Sequence, residues 1–246
     1  MQLKISFCEP AAATENMARD QALVHQCAED GISAYLRWYR WSPPAFSFGY
    51  GQKPEQILDL EKAESQSIPW CKRPTGGALV YHCKDLSYGF AIPRINPFEV
   101  NTGDDLYGLV NDAFMKGFHR LGIPVSRPSV VPRFRDVPQD ARQLCLAHFS
   151  QGDLLATVKQ KDVSAAMEQK KIGGSAQRRF RHVWLQQGFF SLVPFSVPDV
   201  FRDPTMGVLM QSACIDLQSL GFPFTRVLLQ QALTDAMLER FEEAGR

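Results

Sequence analysis

Between positions 106 and 121 the apolar residues Leu106, Leu109, Val110, Ala113, Phe114, Phe118 and Leu121 recur every third or fourth place. That period puts them on one face of a helix, and Gly122 supplies its natural stop. A helix with one apolar face needs a surface to cover, and the rest of the chain offers strands. Leu3, Ile5 and Phe7 alternate, as do AYLRWYR (34–40) and AFSFGYGQ (45–52), with WSPP as a break between the latter two. Two β-rich runs lie within 70–93, and GDLLATV (152–158) and GFFSLV (188–193) read as further strands. Helices are predicted from Thr14 to about Cys27 behind a Thr/Asn start signal, as a short piece within ILDLEKAESQ (57–66), and on Val227, Leu228, Leu233, Ala236, Met237 and Phe241. The mixture is α+β. The proline- and arginine-rich stretch 123–143 is expected to be a long loop, and long loops in compact domains are often functional. No repeat, low-complexity tract or clear linker divides the chain, and its length suits one large domain or two small ones.

Composition excludes several partners. A length of 246 residues with 45% apolar residues supports a full core, and a net charge of +1 gives no global field for nucleic acid or a membrane. Positive charge gathers locally at Lys170, Lys171, Arg178, Arg179 and Arg181, where an acidic partner or a phosphate would find it. The cysteines Cys8, Cys27, Cys71, Cys83, Cys145 and Cys214 have no framework spacing, and MQLKISF is not an apolar signal segment. Reduced thiols in a cytoplasmic protein are expected. Cys145 and His148 form a lone CxxH, which is too little for a metal site, and none is predicted.

KKIGGSAQRR (170–179) raises the question of phosphate binding. Its lysine precedes the glycines, whereas the Walker loop needs a lysine after the last glycine at a helix start. RPTGG (73–77) repeats the combination of a cation and a glycine pair. Thr75, Gly76 and Gly77 are expected at a bend beside strands, where backbone N–H groups can approach a phosphate or carboxyl oxygen. IGGSAQ is read the same way. Two small-residue turns, each behind a cation, would then face one pocket from different strands.

In order, WSPPAFSFGYGQ (41–52), RPTGGALVYHCKDLSY (73–88), CLAHFSQGDL (145–154) and KKIGGSAQRR resemble the successive motifs of the lipoate protein ligase and octanoyltransferase family. NMARDQAL (16–23) is similar to that family's first helix, so the resemblance covers most of the chain. It implies one catalytic domain over residues 1–246, without a separate accessory C-terminal domain and related to biotin protein ligases, with mixed β-sheets flanked by helices and a narrow channel for an eight-carbon acyl chain. Lys171 resembles the family's catalytic lysine, which contacts the acyl carbonyl or carboxylate. The acyl group and its activating group would lie against Gly173, Gly174, Ser175 and Ala176. Arg73, Thr75, Gly76 and Gly77 would form the opposite wall, and His82 joins the substrate-binding set.

The family has two chemistries. Ligases make an acyl-adenylate from ATP and a free acid, whereas many octanoyltransferases take the acyl group from a carrier-protein thioester onto a cysteine. In the branch typified by the Bacillus-type octanoyltransferase, that cysteine lies in a Cys-Phe segment shortly before the lysine motif. Cys145-Leu146 occupies the place here, with Ser150 and Leu154 at the matching spacing. A thiol with a pKa of about 8.5 is mostly protonated at neutral pH, and a cation such as Lys171 beside it would raise the thiolate fraction. Cys83 is a rival nucleophile and His148 a possible base. Ala78, Cys83 and Gln187 depart from the family pattern, as does the longer stretch VKQKDVSAAMEQ (158–169).

The first expectation is therefore an acyltransferase that moves an octanoyl or lipoyl group through a Cys145 thioester onto a lipoyl-domain lysine. It would need an acyl carrier protein donor and no cofactor. The second is the catalytic domain of an ATP- and magnesium-dependent lipoate protein ligase. The third is a non-catalytic lipoyl-domain binder.

Overall fold

The computed structural model describes residues 1–159, 167–213, 215–222 and 224–244. In chain order its elements are β1 (Gln2–Phe7), α1 (Ala13–Asp30), β2 (Ser33–Tyr39), β3 (Ala45–Phe48), α2 (Pro54–Ile57), α3 (Leu60–Ser65), β4 (Trp70–Lys72), β5 (Val80–His82), β6 (Leu86–Pro93) and α4 (Gly103–Arg120). There follow β7 (Val125–Ser126), α5 (Gln139–Gln143), β8 (Leu154–Lys159), β9 (Met167–Arg179), β10 (Val183–Phe190), α6 (Pro204–Ala213) and α7 (Arg226–Glu243). Two sheets result. The larger has the order β1-β2-β6-β10-β9-β8-β7, and the smaller β4-β3-β5. The chain is α+β, with mixed sheets flanked by helices, as the sequence predicts.

The large sheet is covered on both faces, which is why all of β6 is buried. Even-numbered Tyr88, Phe90 and Ile92 of β6 join the main core with Phe114 and Phe118 of α4 and Leu233, Met237 and Phe241 of α7. Odd-numbered Ala91 faces the opposite way, toward Leu23, Val24 and Cys27 of α1. Each fully buried phenylalanine contributes about 1.5–3 kcal/mol. The helix read at 106–121 is thus the element that closes the core. Its N-terminus is fixed by a capping box between Thr102 and Asp105, and Gly122 takes φ of 72° after its last turn. Gly117 lets α7 cross closely, because a Cβ there would stand 2.8 Å from the Ala232 carbonyl.

The small sheet has its own core. Phe46, Phe48, Ile57, Leu79, Leu144, Phe201, Met206 and Met210 pack together, so α2 and α6 cover its apolar side.

Four expectations need correction. The first helix starts at Ala13, behind Ala12 with no side-chain cap, so the Thr/Asn signal lies inside the helix. ILDLEKAESQ belongs to two short helices split at Leu58-Asp59, with Asp59 capping the second. The 123–143 loop contains β7 and α5. Most consequentially, IGGSAQ is not a turn: it lies in the middle of the 13-residue strand β9. Of the longer stretch 158–169, residues 160–166 lie outside the described residues.

Candidate active site

Three segments meet at one cavity: the connection between β4 and β5, the turn between α5 and β8, and strand β9. Arg73 and Gly77 line it from the first, with His82 of β5 beside them, Cys145 and His148 from the second, and Lys171, Gly174, Ser175 and Ala176 from the third. The cavity encloses about 570 Å³ including its mouth.

A bulge brings Lys171 onto the cavity face. Leu154 pairs with Gly173 and Leu155 with Lys171, which leaves Ile172 as the extra residue. Strict alternation would send positions 171 and 174 to opposite faces, and one added residue restores them to the same face. Ile172 then enters the main core. The glycines have separate causes. A Cβ on Gly173 would be 2.5 Å from the Phe189 carbonyl; one on Gly174 would be 2.9 Å from Asp153 Oδ1, 3.1 Å from Lys171 Cε and 3.3 Å from Cys145 Sγ. Gly174 is the floor on which thiol, ammonium and carboxylate converge.

Lys171 is 4% exposed and Asp153 is fully buried, and they form an ion pair at 2.7 Å. The Lys171 ammonium also donates to the carbonyls of Cys145 at 2.5 Å and His148 at 3.1 Å. Burial works to neutralise this ammonium, but the charges of Asp153 and Cys145 outweigh it and hold its pKa above the ordinary lysine value. Asp153 accepts in turn from the Ser150 amide at 2.6 Å and the Ser150 hydroxyl at 2.9 Å. His148 donates from Nδ1 to the Ala141 carbonyl at 2.9 Å, which makes Nε2 the acceptor of its neutral ring. Burial first, and then the Lys171 charge, lower the pKa of His148 and keep that ring neutral.

The opposite wall is built around Arg73. Its guanidinium donates to Ser47 O and Oγ, both at 2.6 Å, to Gly76 O at 3.1 Å and to Ala78 O at 2.8 Å. Among the described residues no carboxylate pairs with it, and burial lowers its pKa below the ordinary arginine value. Gly77 has φ of 84°, and the space beside it is closed by Ala176, whose Cβ would be 3.1 Å from a Cβ at position 77. Thr75 donates to Gln187 at 2.7 Å, and Gln187 donates to Asp20 at 2.6 Å, where Arg37 balances the carboxylate. His82 stacks on Trp41 with ring centroids 4.0 Å apart. It also bonds Ser47 at 2.7 Å and Asp85 at 2.8 Å, and burial lowers its pKa.

The structure therefore assembles Cys145, Lys171, Arg73, Gly77, His82, Gly174, Ser175 and Ala176 around one cavity. Thr75, Gly76 and Gly173 stand behind that lining. Cys83 is half-buried outside it, with a thiol whose pKa is raised chiefly by burial. Cys145 and His148 do share the site, yet among the described residues no group of three or more His, Cys, Asp or Glu side chains could hold a metal ion. Asp153 was legible only as the aspartate opening GDLLATV, because nothing local shows that a lysine 18 positions later will bury beside it. A half-buried thiol, a buried ammonium and a neutral imidazole around one cavity suit covalent acyl chemistry.

The family described as the lipoyl protein ligase A/B catalytic domain matches residues 12–197. Curated relatives named octanoyltransferase LipM include those of Geobacillus kaustophilus, 33% identical over 186 residues, and Exiguobacterium sibiricum, 30% identical over 213 residues. These matches cover 74% and 83% of this chain, and 61% and 71% of the respective relatives, so the chain spans about three fifths of the former's length. Among solved structures, lipoate-protein ligase A bound with ATP is similar with a TM-score of 0.74 at 19% identity, over 98% of this chain and 86% of that one. A bipartite lipoate protein ligase from Thermoplasma acidophilum gives 0.71 at 16%, over 98% and 84%. At such identities the structural likeness speaks for the fold alone. Among the described residues no helix is long and apolar enough to cross a membrane.

Proposed function

The chain belongs to the lipoyl protein ligase A/B catalytic domain family, and from that premise we propose that it moves an octanoyl or lipoyl group, through a thioester on Cys145, to a lysine of a lipoyl domain. The observation that carries the reading is the packing of Cys145 Sγ and the Lys171 side chain against the same glycine, Gly174. The relatives named octanoyltransferase support the choice of acyl group.

In the first half-reaction the Cys145 thiolate attacks the carbonyl carbon of a carrier-protein thioester. The carbonyl electrons move to oxygen, and the oxyanion collapses to expel the carrier thiolate. One thioester replaces another at little free-energy cost, so the acyl group stays activated. In the second half-reaction the neutral amine of the acceptor lysine attacks that carbonyl. The amide forms, the Cys145 thiolate leaves, and the amine gives up its extra proton, for which the neutral Nε2 of His148 is a suitable base on the lining. Lys171 is the group to stabilise each oxyanion, and one such donor is worth on the order of 3 kcal/mol. This chemistry needs no cofactor.

A second reading draws on Arg73. A buried guanidinium without a carboxylate suits an anion, and among the described residues the amides of Gly76 and Gly77 have no acceptor. An acyl-adenylate made with ATP and magnesium would use both. The test supplies lipoyl domain with either octanoyl carrier protein alone or free lipoate, ATP and magnesium. The transferase reading expects modification in the first mixture; modification only in the second, with pyrophosphate released, would transfer the assignment to the ligase chemistry.

A further inference from the structure

The Lys171 ammonium is fully engaged as the site stands. It has three N–H groups, and Asp153, the Cys145 carbonyl and the His148 carbonyl take all three. No donor remains for an acyl oxygen, so one partner has to leave before Lys171 can meet a substrate.

Their chemistry decides which. Asp153 is charged and fully buried, and the Ser150 amide and hydroxyl hold it in place, so parting it from Lys171 would strand a charge in a dry site. The Cys145 carbonyl belongs to the nucleophile itself, whose amide is tied to the Leu79 carbonyl at 3.0 Å. The His148 carbonyl is neutral and makes the longest of the three contacts. His148 is also half-buried and borders both the cavity and a depression at its rim shared with Gln52, Phe134 and Arg142.

We propose that Asp153 is the positioning residue of the site, keeping the Lys171 ammonium on station while an acyl oxygen takes the place of the His148 carbonyl. The proposal deepens the acyl-transfer reading and rests on it for the identity of the incoming oxygen. In the resting site Asp153 and Lys171 cancel, so the Cys145 thiol faces a neutral pair. The other titratable or charged groups around the cavity are Arg73 from the β4–β5 connection, His82 from β5, Tyr39 from β2, His148 from the thiol's own turn and Tyr107 from α4, whose hydroxyl reaches toward the Ser175 carbonyl.

Asp153→Asn keeps the shape and removes the charge, leaving the ammonium to seek the thiolate as its anion. Iodoacetamide alkylation of Cys145, followed by mass across pH in the full chain, should then show a midpoint lowered by about one pH unit. Octanoyl transfer should move the opposite way, its kcat falling about 100-fold with KM for the donor within about threefold, as expected when a transition-state contact is mispositioned. Asp153→Glu should restore both to within about tenfold. An alkylation midpoint that is unchanged or raised in Asp153→Asn overturns the proposal. So does a joint loss of alkylation, transfer and thermal stability that Asp153→Glu shares, because that is what a merely structural carboxylate gives. If the native chain transfers no acyl group at all, the functional reading fails, and the alkylation midpoint alone still decides the role of Asp153.

Discussion

RPTGG and KKIGG contain the same ingredients, a cation followed by a glycine pair, and they do opposite things with them. In the first, the chain turns between β4 and β5, Gly77 takes a left-handed φ, and the turn's own carbonyls hold Arg73. In the second, the chain runs extended between β8 and β10, its backbone is spent on the sheet, and the lysine is held by a carboxylate and two carbonyls from outside the strand. One wall thus carries a buried cation with no carboxylate partner among the described residues, and the other a neutral ion pair. The contrast shows that a cation next to glycines does not specify a phosphate loop. What decides is whether neighbouring strands claim the backbone.

The contrast predicts different costs of removing each cation. Lys171→Met leaves Asp153 buried without its partner and should cost about 3–5 kcal/mol of stability in denaturant unfolding. A loss no larger than that of Arg73→Gln would mean that Asp153 has another source of compensation. The glycines should divide in the same way. Gly174→Ala pushes into Asp153, Lys171 and the thiol, and a displacement there should lower transfer about 100-fold, whereas Gly76→Ala, which meets nothing within 4 Å, should stay within about threefold. Equal effects would undo the distinction between floor and rim. Arg73→Gln strands no charge and should cost only about 1–3 kcal/mol, through carbonyls left short of donors.

The smallest effect concerns pH. His82 is held neutral by burial, while the unfolded chain takes up its proton near a pKa of about 6.5, so unfolding is favoured as pH falls below that value. His148 acts with the same sign. Stability should fall below pH of about 6.5 by up to about 1.4 kcal/mol per unit for each such histidine, and His82→Gln should remove its share of the slope. An unaltered slope would show that His82 is protonated in the folded chain.

Much of this was legible in the sequence, for identifiable reasons. The helix at 106–121 declares itself because one face meets a sheet and the other meets water. Strand β9 does not, because Lys170, Lys171 and two glycines hide a segment that becomes a strand only through pairing on both sides, a tertiary effect that overrides local propensity. Cys145, Lys171 and Arg73 stood out through chemistry and family resemblance together. Asp153 and the Thr75–Gln187–Asp20 chain did not, since each joins residues far apart in sequence. Gln187, read as a departure from the family pattern, is the residue that fastens the RPTGG turn to α1, using an amide that donates and accepts at once.

The central claim is that Cys145 carries the acyl group. Intact-mass measurement after incubation with octanoyl carrier protein tests it most directly. The account predicts one hydroxylamine-labile octanoyl adduct, absent in Cys145→Ala and retained in Cys83→Ala, whose thiol lies outside the cavity. An adduct that persists in Cys145→Ala would contradict it.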